Sequence, residues 1–290
     1  MTELRWDLVA GFALSILTNM ALPFVVATFL ARRYKARWRW WFLGVGVFLV
    51  FQVLTRIPVM VVIQRLPAVK EWLAEPVPFW SFLAIAAFTA GLFEEGGRWL
   101  ALRFIVPPAE RRLSTGLMLG AGHGGLEVLG VGLLQLIALI SYVALTLMPA
   151  DSIAAAGPQV AQAKAQYAGL HGWEPLLGAW ERVCAMAIQI GLSVMVLNAF
   201  RRGPRWWWLA LLTHTLVDFT SVAALKVGAN YLGPLRAGIA TEGLVTVYAV
   251  IALGFLRSQR GAPETPPNGF GESAPDIVEP ATEGDTLAAP

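Results

Sequence analysis

The chain has little of what a soluble protein of 290 residues shows to water. Only 14% of its residues are charged against 57% hydrophobic, and the mean hydropathy is +0.60. That balance excludes a water-soluble globule, which needs polar residues to cover its core. Cysteine is nearly absent: Cys184 stands alone inside an apolar run, which excludes a disulfide framework and leaves packing as its role. Only three histidines are present, and none belongs to a His-Glu-x-x-His sequence, so the usual zinc-protease helix is missing. A cleavable leader is also missing, because the first basic cluster follows the first apolar run instead of preceding it. The net charge of +3 and pI near 9.2 do not point to nucleic acid, since the basic residues gather at the ends of apolar runs.

Long apolar runs are what the sequence has in quantity. A hydrocarbon layer of roughly 30 Å needs about 20 apolar residues per helix. Runs at 9–30, 40–63, 78–102, 114–148, 176–200, 206–226 and 238–256 meet that need. The expected fold is therefore all-α: a multi-pass protein of the cell membrane with about seven transmembrane helices, the lipid bilayer its first partner. Alternate connections carry unequal positive charge. Arg32, Arg33, Lys35, Arg37, Arg39, Arg103, Arg111, Arg112, Arg201, Arg202, Arg205, Arg257 and Arg260 fall on one side, and only Arg5, Arg65, Lys70, Lys164, Lys226 and Arg236 on the other. The positive-inside rule then places the N-terminus outside and the C-terminus in the cytoplasm. Residues 1–256 form one expected transmembrane unit. The stretch 257–290 reads as a disordered cytoplasmic tail, rich in Pro, Gly and Glu, with no Lys or Arg from Gly261 onward. In the loop near 149–175, the sequence Gln159-Val160-Ala161-Gln162-Ala163-Lys164 suits a short surface helix, and His171 there reads as a solvated side chain. The tryptophans at 38, 40 and 41 and at 206–208 read as interfacial anchors.

Ionisable residues within apolar spans are costly and mark functional sites. The third span holds Glu94, Glu95 and Arg98, the fourth His123 and Glu127, and the sixth His214 and Asp218. Spacing of four puts Glu94 with Arg98, His123 with Glu127, and His214 with Asp218 on common helix faces. Glu94 is nine residues from Arg103, His123 eleven from Arg112 and His214 nine from Arg205. At ~1.5 Å per residue all three lie roughly 14–16 Å deep, in one layer. A second group, Arg56, Glu181, Arg182 and Glu242, sits further toward the outside and reads as a structural ion network, because buried charges must pair. Glycines 116, 120, 122, 124, 125, 130 and 132 crowd the fourth span and permit close helix approach.

The succession Glu-Glu-x-x-Arg at 94–98, Gly-His-Gly-Gly-x-Glu at 122–127 and His-x-x-x-Asp at 214–218 resembles the YhfC-type intramembrane peptidases. These are similar to the wider group of CAAX prenyl proteases, bacteriocin-processing enzymes and PrsW proteases. The resemblance covers most of 1–256. It implies a glutamic-type intramembrane protease without a cofactor, acting on a peptide or membrane-protein substrate in a cavity near the cytoplasmic side. Glu94 would be the general base, Glu95 and Arg98 would hold the site, and His123 would orient the water. His214 and Asp218 match a motif that often ends in Asn; an ionised Asp cannot donate to an oxyanion, so Asp218 would orient His214.

Alternatives stay open beside this reading. His123, Glu127, His214 and Asp218 could instead ligate zinc in a metalloprotease. A proton-coupled transporter or a catalytically inactive scaffold would carry similar residues. A serine mechanism finds only the fragment Gly191-Leu192-Ser193.

Overall fold

The computed structural model describes residues 3–73 and 76–261, and every regular element among them is helical. The chain is a multi-pass membrane protein built from α1 (Trp6–Tyr34), α2 (Trp38–Phe48), a π-helical segment (Leu49–Arg56), α3 (Ile57–Arg65), α4 (Pro67–Trp72), α5 (Pro76–Phe104) and α6 (Leu113–Leu147), followed by α7 (Ala150–Ala156), α8 (Pro158–Gly169), α9 (Pro175–Arg202), α10 (Arg205–Leu232) and α11 (Pro234–Ser258). Helices are the expected solution in lipid, because every backbone donor and acceptor is satisfied within its own segment. Each apolar run of the sequence lies in one of these helices or, for 40–63, in the continuous Trp38–Arg65. Among the described residues six helices are long and apolar enough to cross a membrane. The remaining long helix, α5, carries the Glu94, Glu95 and Arg98 cluster. The expected tail lies outside the described residues from 262 onward, while Arg257 and Ser258 still belong to α11 and Gln259–Gly261 form a 3-10 turn.

Glycine followed by proline punctuates the chain three times. Gly157, Gly203 and Gly233 have φ of 97°, 114° and 79°, a region open to glycine, and the proline after each lies in the first turn of the following helix or, for Pro204, just before it. These pairs give the tight reversals into α8, α10 and α11.

The centre of the bundle is α9. Its most apolar stretch is 78% buried, against 17–28% for the other five apolar helices. It packs on α6, α11, α10 and α1, while α6 also packs on α1 and α2, and α5 on α10. The α2–α6 crossing depends on glycine: a β-carbon on Gly122 would overlap the Trp41 carbonyl, and one on Gly44 the Leu119 carbonyl. Trp40 and Trp41 are consequently buried at this crossing instead of anchoring at an interface. Toward the ends of α6 and α9 beside Arg112 and Arg202, Met118, Leu119, Val194, Val196 and Leu197 are buried in the interior.

Candidate active site

Four helices bring the predicted residues together. Glu94, Glu95 and Arg98 project from α5, His123 from α6, Gln189 from α9 and His214 from α10, and all six are buried. His123 Nε2 lies 2.8 Å from Glu94 Oε2, and His214 Nε2 lies 3.8 Å from the same oxygen. Three helices therefore meet at one carboxylate.

Behind Glu94 is a closed ion cluster. Arg98 donates to Glu95 and, through its other terminal nitrogen, to the Gln189 side-chain oxygen. The His214 Nδ1 stands 2.6 Å from Glu95 Oε1, and the Trp207 indole donates to the Glu95 backbone carbonyl at 3.2 Å. Trp207 thus faces the interior, a different place from the interface its sequence suggested. Glu95 fixes the tautomer and tilt of His214, leaving Nε2 directed at Glu94 and at Asp218 Oδ2, 3.6 Å away. Tautomers here follow from these contacts.

The Gln189 amide joins the parts: its nitrogen donates to Glu127 Oε2 at 2.8 Å and to Glu94 Oε2 at 3.3 Å. Gln52, in the π-helical segment, donates to the other Glu94 oxygen and accepts from Arg56 Nη1 at 3.2 Å. Gln52 escaped the sequence reading. Its only signal was a polar residue four positions before an arginine in an apolar run, and the π-helical geometry that turns both inward leaves no mark in composition. Single π-turns of this kind cluster at functional sites.

One expectation needs correction and two readings are sharpened. Glu127 does not pair with His123 despite the spacing of four; it accepts from Arg182 at 2.6 Å and from Gln189, because α9 crosses α6 on that side. The outer ion network holds for Arg182 with Glu127 and Glu181, but Arg56 makes no ion pair with a described carboxylate, and Glu242 Oε2 is buried without a partner. Ser193 is fully buried, and its hydroxyl has no partner among the described residues, so it has no histidine to activate it.

The site opens on a cavity of about 430 Å³ whose wall includes Gln52, Arg56, Glu94, Glu127, His214 and Asp218. It extends from the Glu94 layer to Leu83 on α5 and Val222 on α10. It therefore runs away from the arginine-rich helix ends, not toward them as the cytoplasmic-side expectation had it. The apolar plug of Met118, Leu119 and Leu197 occupies that other direction.

Among the described residues no group of three or more His, Cys, Asp and Glu side chains forms a ready-made metal centre. The donor chemistry nevertheless fits one. Zinc–nitrogen bonds of ~2.0–2.1 Å in a tetrahedron set ligand atoms about 3.3 Å apart, and His214 Nε2 stands 3.6 Å from Asp218 Oδ2, while His123 Nε2 reaches the same Glu94 oxygen that His214 Nε2 approaches. A second carboxylate on the far nitrogen of a ligating histidine, as Glu95 is to His214, is the usual support for such a ligand.

The profile of the YhfC intramembrane metalloprotease family matches residues 18–232, which contain every residue of the cluster. The chain belongs to that family. It is 31% identical over 252 residues to the uncharacterised membrane protein YhfC of Bacillus subtilis (strain 168), an alignment covering 84% of this chain and 96% of the relative. No solved structure matches the chain.

Proposed function

We propose that this protein is an intramembrane protease that cleaves a peptide bond in the Glu94 cavity, and that a divalent metal ion, zinc by ligand type, assists the cleavage. The observation that carries the metal is charge: the cavity wall presents Glu94, Glu127, Glu181 and Asp218 against only two guanidiniums, Arg56 and Arg182. Even with Arg98 3.6 Å from Glu94, carboxylates outnumber guanidiniums there; a surplus of negative charge inside a membrane protein is costly, and a divalent cation offsets it. Asp218 supports the same reading, since a carboxylate is a poor oxyanion donor and a good ligand.

His123, His214 and Asp218 would hold the metal, which when bound acidifies a water and polarises the scissile carbonyl. Glu127 drops out of the ligand set because Arg182 and Gln189 occupy its oxygens. Glu94 is the general base. Gln52 and Gln189 fix its carboxylate at the cavity wall, and it passes the water's proton to the departing amine. Glu95 and Arg98 act through His214 and Gln189 without touching substrate.

The metal-free glutamic mechanism is the second reading, favoured by the 2.8 Å contact between His123 and Glu94. It keeps the same base and the same oriented histidine. A transporter is disfavoured by the apolar plug beyond the site, which closes a polar path toward the arginine-rich ends.

The test is Glu94→Gln in purified protein against a panel of apolar peptides. Proteolysis should fall by at least ~10²-fold, with the fold intact. Unchanged cleavage by a well-folded Glu94→Gln sample refutes the base, and chelator-resistant cleavage by the wild type selects the metal-free mechanism.

A further inference from the structure

Three guanidiniums surround the site, and two of them form ion pairs among the described residues: Arg98 with Glu95 and Glu94, Arg182 with Glu127 and Glu181. Arg56 is the exception. It lies midway along the second apolar run, lines the cavity, and is held by uncharged acceptors only: Nε donates to Thr89 Oγ1 at 3.3 Å, Nη1 to Gln52 Oε1 at 3.2 Å and Nη2 to the Ala86 carbonyl at 2.5 Å. Those bonds use three of its five N–H donors. One N–H on each terminal nitrogen remains, enough to donate to both oxygens of a carboxylate.

Its position separates two roles. The α5 residues that hold it, Ala86 and Thr89, precede Glu94 by eight and five positions, which at ~1.5 Å per residue is about 7–12 Å along the helix. An oxyanion donor must stand about 3 Å from the attacked carbonyl oxygen, whereas Arg56 is held on the Ala86 and Thr89 side of the cavity, with Gln52 between it and the base. An extended peptide advances ~3.3 Å per residue, and the same distance spans two to four of them. Gln52 touches both Arg56 and Glu94, so the fork and the base keep a fixed spacing.

We infer that Arg56 is a carboxylate-binding subsite, which anchors an acidic group of the peptide two to four residues from the bond cleaved. This rests on the protease reading above. The carboxylate is either a Glu or Asp side chain or the free C-terminus of the peptide; both present the same two oxygens to the fork.

Three otherwise identical fluorogenic peptides, tested with the full chain in detergent micelles, decide the matter. One is uncharged and amidated, one amidated with a single Glu three residues from the labile bond, and one uncharged with a free carboxyl end. The subsite predicts that at least one carboxylate peptide exceeds the uncharged one by roughly tenfold or more in kcat/KM, through KM, and which one does so identifies the source. Arg56→Gln should bring that ratio to about one, and Arg56→Lys should keep part of it as a point charge. A wild-type ratio near one, or a ratio that Arg56→Gln leaves unchanged, overturns the subsite while leaving the protease reading intact. Thermal stabilisation of Glu94→Gln by reduced-bond versions of the same peptides supplies the complementary measurement. Carboxylate-dependent stabilisation that needs Arg56, with no cleavage by the wild type, keeps the subsite and removes the protease. Equal stabilisation by all three peptides removes the subsite.

Discussion

Glu94 and Glu95 are adjacent on one helix, yet they live in different surroundings. Successive helical residues are turned about 100° apart, so Glu95 faces the bundle and Glu94 the cavity. Glu95 is sealed by Arg98, His214 and Trp207. Glu94 is held by Gln52, His123 and Gln189, with the Arg98 guanidinium 3.6 Å away, while still lining open space. The contrast shows how a membrane interior can afford charge. Arg98 reaches both carboxylates, but Glu95 takes its direct hydrogen bond and fixes the neighbouring imidazole, whereas Glu94, 3.6 Å from the guanidinium, keeps a side on the cavity.

Breaking the sealed side should cost the most. Arg98→Leu leaves Glu95 buried without its guanidinium, a loss on the order of 3–5 kcal/mol, to be read as lower yield and an earlier thermal transition. An Arg98→Leu protein that melts with the wild type would mean Glu95 is not sealed. On the open side Glu94→Gln should cost only about 1 kcal/mol, the scale of one hydrogen bond, because amide and carboxylate share a shape and Gln52 can reorient. A larger loss there than for Arg98→Leu would reverse the comparison.

The smallest effect belongs to the surface. Glu110 lies between α5 and α6, where the Arg39 guanidinium hydrogen-bonds it and Arg37 approaches to 3.4 Å, and these hold its carboxyl below the usual range. A lowered folded value contributes stability above the unfolded pKa of about 4.3 and loses it as pH falls through the folded one. Acidification below about pH 4 should therefore lower the melting temperature slightly more for the wild type than for Glu110→Gln, and equal decline would show that the contact is inert.

Much of this was legible in the sequence. Apolar run length set the helices, and counting from helix-end arginines put Glu94, His123 and His214 in one layer, because rise per residue is nearly constant. Rotation about the helix axis was harder. The spacing of four paired His123 with Glu127 correctly as neighbours on a face, but α9 interposed Arg182 and Gln189, which no count along α6 could show. Gln52 was missed because a π-helical turn changes which residues face inward without changing composition. The direction of the cavity was missed for a related reason: depth fixes the layer of the site, whereas the side that opens depends on where Met118, Leu119 and Leu197 pack.

The most direct test of the account is the metal content of the purified full chain, measured beside its variants. The wild type should hold about one divalent ion per chain, Glu94→Gln should retain it while losing cleavage, and His214→Ala and Asp218→Asn should bind it at least roughly tenfold more weakly. An actively cleaving wild type that carries no metal, and that zinc does not stimulate, would contradict the metal-assisted site.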